Sequence, residues 1–180
     1  MLLVTGGCRS GKSSFAREWA EKQADRLGKK PVYLATAYVV DEEMRSRIQR
    51  HRDDRGDRWR SVDVASLAWD KPEIWVPEAA SQGPVLLFDC LTLWTSLCLE
   101  KKFTEEETLS LTQRLLAQLR QGSNAVALVA NEVGLGLVPE NAASRLFRDV
   151  AGRVNQLVAA NADTVVLMIS GLPLTLKGGV

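Results

Sequence analysis

GGCRSGKS, residues 6–13, follows the short apolar run Leu2-Leu3-Val4-Thr5 and opens into a helix-like pattern. It fits G-x-x-x-x-G-K-[ST] in full through Gly6, Gly11, Lys12 and Ser13. Glycines at these positions let backbone N–H groups converge on phosphate oxygens, and the N-terminus of the following helix adds its own dipole. Chance alone produces such a match in roughly one chain in a hundred of this length. Here a strand precedes it and a helix follows, as the mechanism requires. Gly6, Gly7, Cys8, Arg9, Ser10, Gly11, Lys12 and Ser13 therefore read as a cradle for a nucleoside triphosphate. In it Lys12 reaches the β- and γ-phosphates, Arg9 adds a second cation, and the Ser13 hydroxyl is a ligand for Mg²⁺.

Outward from this loop, apolar runs alternate with amphipathic stretches. Strands are expected over 2–5, 31–36, 59–64, 84–89, 125–130 and 164–170, and helices over 12–27, 41–55, 104–121 and 140–161. Residues 172–177 read as an antiparallel edge strand, where Pro173 is tolerated. Residues 65–83 give no clear pattern, since Pro72 and Pro77 oppose a long helix there. Continuous apolar strands between helices mean a mostly parallel sheet covered on both faces. Ligands bind such sheets at the carboxyl ends of the strands, which draws attention to the loops after residues 5, 36, 89 and 130. Asp89 closes one strand, where nucleotide-binding folds of this kind place a second carboxylate linked to Mg²⁺; the alternative is a strand-end or helix N-cap aspartate.

The chain has 180 residues and a formal net charge of +1. One domain spanning 1–180 is expected. Charge near zero and few stacking aromatics beside the basic segment argue against nucleic acid as a partner. No apolar run approaches a membrane span. Cys8, Cys90 and Cys98 lack metal-ligand spacing, and they read as reduced thiols of a cytoplasmic protein without a signal peptide. Trp69, Trp75 and Trp94 are core residues or subunit contacts, with core the simpler reading.

His51 is the single histidine, in DEEMRSRIQRHRDDR (41–55). It shares a helical face with Met44 and Ile48, and can be read as the polar end of an apolar stripe. Arg45, Arg47, Arg50, Arg52, Arg55, Arg58 and Arg60 crowd the same segment, and arginine clusters suit phosphate. Cations near an imidazole favour its neutral form, and the neutral form is a nucleophile. Facing a bound triphosphate, His51 could attack the α-phosphorus and expel pyrophosphate held by the glycine loop, which is nucleotidyl transfer by double displacement.

Taken together, LVTGGCRSGKS, YLATA, DEEMRSRIQRHRDDRGDRW, LLFDCLTLW, NEVGLGLVPEN and RLFRDVAGRVNQLVAANADTVVLMISGLPL make a sequence that resembles, nearly end to end, the bifunctional adenosylcobinamide kinase / adenosylcobinamide-phosphate guanylyltransferase family of cobalamin biosynthesis. The resemblance implies a P-loop, RecA-like α/β fold. It implies two reactions: phosphorylation of adenosylcobinamide by ATP or GTP, then transfer of GMP from GTP to adenosylcobinamide phosphate, giving adenosylcobinamide-GDP and pyrophosphate. It makes His51 the residue that carries GMP. By position it adds Thr36, Ala37, Tyr38, Arg52, Asp53, Asp54 and Arg55 to the nucleotide site. Asp63 stands where the family usually has glutamate and would accept guanine N1–H and the 2-amino group. Glu132 would line the substrate pocket or orient a loop. A compact homo-oligomer, a trimer, is also implied. The rival readings are a plain P-loop kinase with a structural His51, and a nucleotide-dependent switch or nucleic-acid module.

Overall fold

In the computed structural model, residues 1–37, 42, 46, 49, 53, 56–122 and 124–179 are described. They build one seven-stranded sheet in the order β3-β2-β4-β5-β1-β6-β7. Its strands are β1 (Leu2–Gly6), β2 (Val32–Ala35), β3 (Arg60–Asp63), β4 (Val85–Asp89), β5 (Ala125–Asn131), β6 (Thr164–Ile169) and β7 (Leu172–Lys177). Every pairing is parallel except β6 with β7. The antiparallel edge expected at 172–177 is present, with Pro173 opposite Met168.

The helices are α1 (Lys12–Asp25), α2 (Pro72–Ser81), α3 (Leu91–Glu100), α4 (Glu105–Gln121) and α5 (Ala142–Asn161). Strand alternation divides the core in two. Leu2, Val4, Leu87, Val129 and Val166 face α1, while Leu3, Phe88, Leu128 and Val165 face α2 to α5. Two-sided burial explains why these strands read as unbroken apolar runs. Trp75 and Trp94 are buried core residues, and Trp69 packs edge-on against Trp94 at 5.6 Å.

Two local signals set helix ends. Thr104 and Glu107 form a reciprocal capping box at the start of α4. Asn141 caps α5, accepting from the Ser144 amide at 2.7 Å. Against expectation, residues 72–81 form a ten-residue helix despite two prolines. Pro72 occupies its first turn, where no N–H is needed. Pro77 lies on the exposed face, as does Glu73 one turn earlier, whose carbonyl loses its helical donor there, while Trp75, Val76 and Ala79 anchor the buried face. Of the helix expected over 41–55, the described residues 42, 46, 49 and 53 are helical. Among the described residues no helix is long and apolar enough to cross a membrane.

Candidate functional site

The glycine loop leaves β1 at the carboxyl edge of the sheet and enters α1 at Lys12. Its conformation depends on small residues. Gly11 has φ +94, a left-handed value that favours glycine. A Cβ on Gly6 would lie 2.6 Å from the Met168 carbonyl oxygen and 2.6 Å from Ser10 Oγ. The turn between β6 and β7 backs the loop, and the Gly171 amide donates to the Ser10 carbonyl at 3.0 Å. Gly7, Cys8 and Arg9 are exposed, and Arg9 has φ 55.

Lys12 is 8% exposed, and its ammonium folds across the loop to donate to the Gly7 carbonyl at 2.9 Å. Among the described residues no carboxylate pairs with it. Ser10 Oγ is buried without a hydrogen-bond partner among the described residues. A buried cation held by a carbonyl, and an orphaned hydroxyl beside it, on a loop whose residues Gly7, Cys8 and Arg9 are exposed, is an arrangement ready for an anion. Sequence reading found the loop, but not the hairpin turn behind it, because Gly171 and Ser10 are 161 residues apart in the chain.

Asp89 ends β4 on the α1 side of the sheet, following Leu87 by alternation. Its Oδ2 accepts from Tyr33 Oη at 2.7 Å. β5 lies between β4 and β1, which puts Asp89 about 10 Å laterally from the strand that carries the loop. Asp89 and Ser13 both offer hard oxygens, Ser13 at the N-terminus of α1. That donor chemistry fits Mg²⁺, and among the described residues no cluster of three or more His, Cys, Asp or Glu competes for a metal.

Thr36 follows β2 and is buried, its hydroxyl committed to the backbone of Cys90. Ala37 is half-exposed beside it. Asp63 ends β3 next to Ala35 and accepts from Ser66 Oγ at 2.9 Å. Asp53 is exposed and accepts from Gln49 at 2.9 Å. His51, Tyr38, Arg52, Asp54 and Arg55 lie outside the described residues. Burial pushes the thiol of Cys90 up to about 11, helped by the charge of Asp89, and burial pushes that of Cys98 up to about 12; Cys8 is exposed.

Glu132 joins the site more directly than its sequence context indicated. Its amide donates to the Gly6 carbonyl at 3.1 Å. One carboxylate oxygen, Oε1, accepts from Thr5 Oγ1 at 2.5 Å and from Asn155 Nδ2 at 3.1 Å. Asn155 Nδ2 also donates to the Asn131 carbonyl at 3.1 Å. The ends of β1 and β5 are thus tied to α5. Beyond Glu132, Arg148 donates to the Gly134 carbonyl at 2.8 Å, and Arg145 donates to the carbonyls of Pro139 and Glu140. This held loop exposes Leu135, Leu137 and Val138.

A family profile described as cobinamide kinase / cobinamide phosphate guanyltransferase matches residues 2–176. The bifunctional adenosylcobalamin biosynthesis protein CobU of Salmonella typhimurium is 35% identical, over 98% of this chain and 99% of that protein. The bifunctional adenosylcobalamin biosynthesis protein CobP of Pseudomonas aeruginosa is 38% identical, over 98% and 96% respectively. Among solved structures, a KaiC-like protein from Pyrococcus horikoshii matches with a TM-score of 0.54 at 15% identity, covering 92% of this chain and 69% of that one. That likeness concerns the fold, which is RecA-like.

Proposed function

The chain belongs to the cobinamide kinase / cobinamide phosphate guanyltransferase family, and from that premise we propose that it runs two reactions at one carboxyl edge. In the first, a γ-phosphoryl group passes from ATP or GTP to the hydroxyl of adenosylcobinamide. In the second, GMP passes from GTP to the resulting phosphate through a GMP–His51 intermediate. The observation that carries this reading is the preorganised anion loop, with Lys12 folded over it and Ser10 Oγ unpartnered, in a chain that matches the family over nearly its whole length.

The loop serves both reactions. Its amides and Lys12 hold the β- and γ-phosphates: in the first reaction the β-phosphate stays on the departing nucleoside diphosphate while the γ-phosphoryl group is transferred, and in the second the two leave together as pyrophosphate. Either way they stabilise charge that builds on the leaving group. Ser13 and Asp89 are the residues that would hold Mg²⁺, which when bound neutralises phosphate charge. In guanylyl transfer a ring nitrogen of neutral His51 bonds to the α-phosphorus as the bond to pyrophosphate breaks. An oxygen of adenosylcobinamide phosphate then bonds to that phosphorus as the P–N bond breaks, and the free imidazole returns.

Asp63 is the guanine reader in this scheme, and Thr36, Ala37, Tyr38, Arg52, Asp53, Asp54 and Arg55 complete the nucleotide site. β3 is four strands from β1, roughly 19 Å at the usual strand spacing. A nucleotide lying along the carboxyl edge, phosphates at β1 and base toward β3, brings the two ends of the site together. Thr36 contributes by fixing its neighbours, since its hydroxyl is engaged with Cys90. The protein works as a cytoplasmic homo-oligomer, a trimer, and the exposed Leu172, Leu174 and Leu176 of β7 are apolar surface available to such an assembly.

Incubation with α-³²P-GTP or γ-³²P-GTP tests the reading. Acid-labile label is expected on the protein from the α position, and none on the His51→Ala variant, which still phosphorylates adenosylcobinamide. Label from the γ position alone, or α label that survives in His51→Ala, overturns the intermediate.

A further inference from the structure

We propose that Glu132 is the general base of the phosphorylation step, a role that rests on the two-reaction reading above and assigns within it the residue that accepts the proton of the acceptor hydroxyl. The placement is direct. β5 is the neighbour of β1, with Asn131 in register with Gly6, and the Glu132 amide bonds the first carbonyl of the phosphate loop. The carboxylate therefore stands at the lip of the loop.

Its hydrogen bonding is one-sided. Thr5 and Asn155 both donate to Oε1. Among the described residues Oε2 has no donor, and no cation pairs with the group. A carboxylate serving as a fastener alone would gain from bonds at both oxygens or from a counter-ion. This one is locked in orientation through one oxygen, by a threonine that is itself 5% exposed, and keeps the other as a vacant acceptor. A negative charge beside a polyanion cradle opposes nucleotide binding electrostatically, so affinity for nucleotide does not account for an acid at this position. Proton acceptance does.

The geometry also separates Glu132 from Asp89. Thr5 alternates with Leu3 and so lies on the α5 side of the sheet, whereas Asp89 alternates with Leu87 on the α1 side. The two acids thus approach the loop from opposite faces. Glu132 leads straight into the ledge of Leu135, Leu137 and Val138, which are 80%, 96% and 67% exposed. A large acceptor resting there would present its hydroxyl to Glu132 from outside the nucleotide.

The step balances as written. The hydroxyl oxygen bonds to the γ-phosphorus while its proton moves to Glu132 Oε2 and the bond from the γ-phosphorus to the β-bridging oxygen breaks. The nucleoside diphosphate leaves, and Glu132 returns its proton to solvent. Guanylyl transfer differs in one chemical respect: its acceptor is a phosphate that is already ionised. No proton has to be removed, so Glu132 has no part in it.

That difference supplies the test. In Glu132→Gln the amide oxygen can keep both contacts made by Oε1, while the basic oxygen is replaced by NH₂. Phosphorylation of adenosylcobinamide is expected to fall in kcat by roughly 100-fold or more, with KM for the nucleotide no higher than in wild type, because the opposing charge is gone, and the melting temperature close to wild type. Guanylyl transfer to chemically prepared adenosylcobinamide phosphate should stay close to wild type. Added formate should restore part of the phosphorylation in Glu132→Ala, because a small carboxylate can occupy the vacated volume. Equal retention of both reactions in Glu132→Gln overturns the assignment, as does their equal loss. Wild-type protein inert toward adenosylcobinamide would instead sink the functional reading itself.

Discussion

Thr36 and Cys90 exchange two hydrogen bonds through a single hydroxyl: Thr36 Oγ1 donates to the Cys90 carbonyl at 2.9 Å and accepts from the Cys90 amide at 2.7 Å. This clasp joins the carboxyl ends of β2 and β4 and holds the chain just after Asp89. The Cys90 carbonyl also receives the Trp94 amide at 3.1 Å, so it survives loss of the hydroxyl, whereas the Cys90 amide is orphaned. Thr36→Val is expected to lower stability by about 1–3 kcal/mol, the usual cost of one buried unsatisfied group. Thr36→Ser should recover most of it. Denaturant titration measures both, and a midpoint unchanged in Thr36→Val would show that the clasp does not stabilise the edge.

Gly6→Ala attacks the site from beneath. The new methyl would sit 2.6 Å from the Met168 carbonyl oxygen, a backbone atom of β6, which is paired on both sides by β1 and β7 and has little room to retreat. The loop must move instead, and with it the amides that hold phosphate. The variant is expected to keep the far-ultraviolet circular dichroism of the wild type while losing at least tenfold in nucleotide affinity by calorimetry. Wild-type affinity would mean that the loop adapts without leaving its register.

Much of this arrangement is legible in the chain. GGCRSGKS specifies its own turn, and the apolar runs specify their strands because both faces are buried. The strand order is not written locally. Nothing in VLLFD or AVALVAN says that β5 lies between β4 and β1; that follows from how the crossover helices pack. For the same reason Asp89 can be picked out as an acid at a strand end, but its distance from the loop cannot. Pro77 misleads because its penalty depends on which face it occupies. Thr5 and Asn155 carry no signal, since a threonine in an apolar strand and an asparagine on a long helix acquire meaning only when Glu132 arrives between them. His51 is the reverse case, singled out by chemistry and lying outside the described residues.

The three thiols should differ sharply in reactivity. Cys8 is exposed on the glycine loop, whereas Cys90 and Cys98 are buried, with thiols pushed up to about 11 and about 12. The thiolate is the reactive form, so at pH 8 the two buried residues are protected both by access and by protonation. Iodoacetamide is expected to modify one cysteine per native chain, Cys8 by mass spectrometry, and bound GTP should slow that modification. Equal labelling of all three would show that the core opens on the timescale of the reaction.

The start of α4 offers a test of stability that leaves the site untouched. Thr104 Oγ1 accepts from the Glu107 amide at 3.2 Å, and Glu107 Oε2 accepts from the Thr104 amide at 2.7 Å. Thr104→Ala removes the first bond and should cost about 1 kcal/mol, seen as a fall in melting temperature of roughly 2–4 °C for a chain of this size. The second bond depends on pH. The Thr104 amide, followed by its hydroxyl, holds the Glu107 carboxyl below its ordinary value of 4.5. A carboxyl depressed by folding stabilises the native state fully above its unfolded value, and that contribution fades as pH falls through the native value. Wild type and Glu107→Gln should therefore differ in melting temperature at pH 7, with wild type higher, and converge as the pH drops below about 4. Because Glu107 is exposed, the gap should also narrow in high salt. A gap that persists unchanged into acid would mean that the carboxylate charge contributes nothing at this helix end.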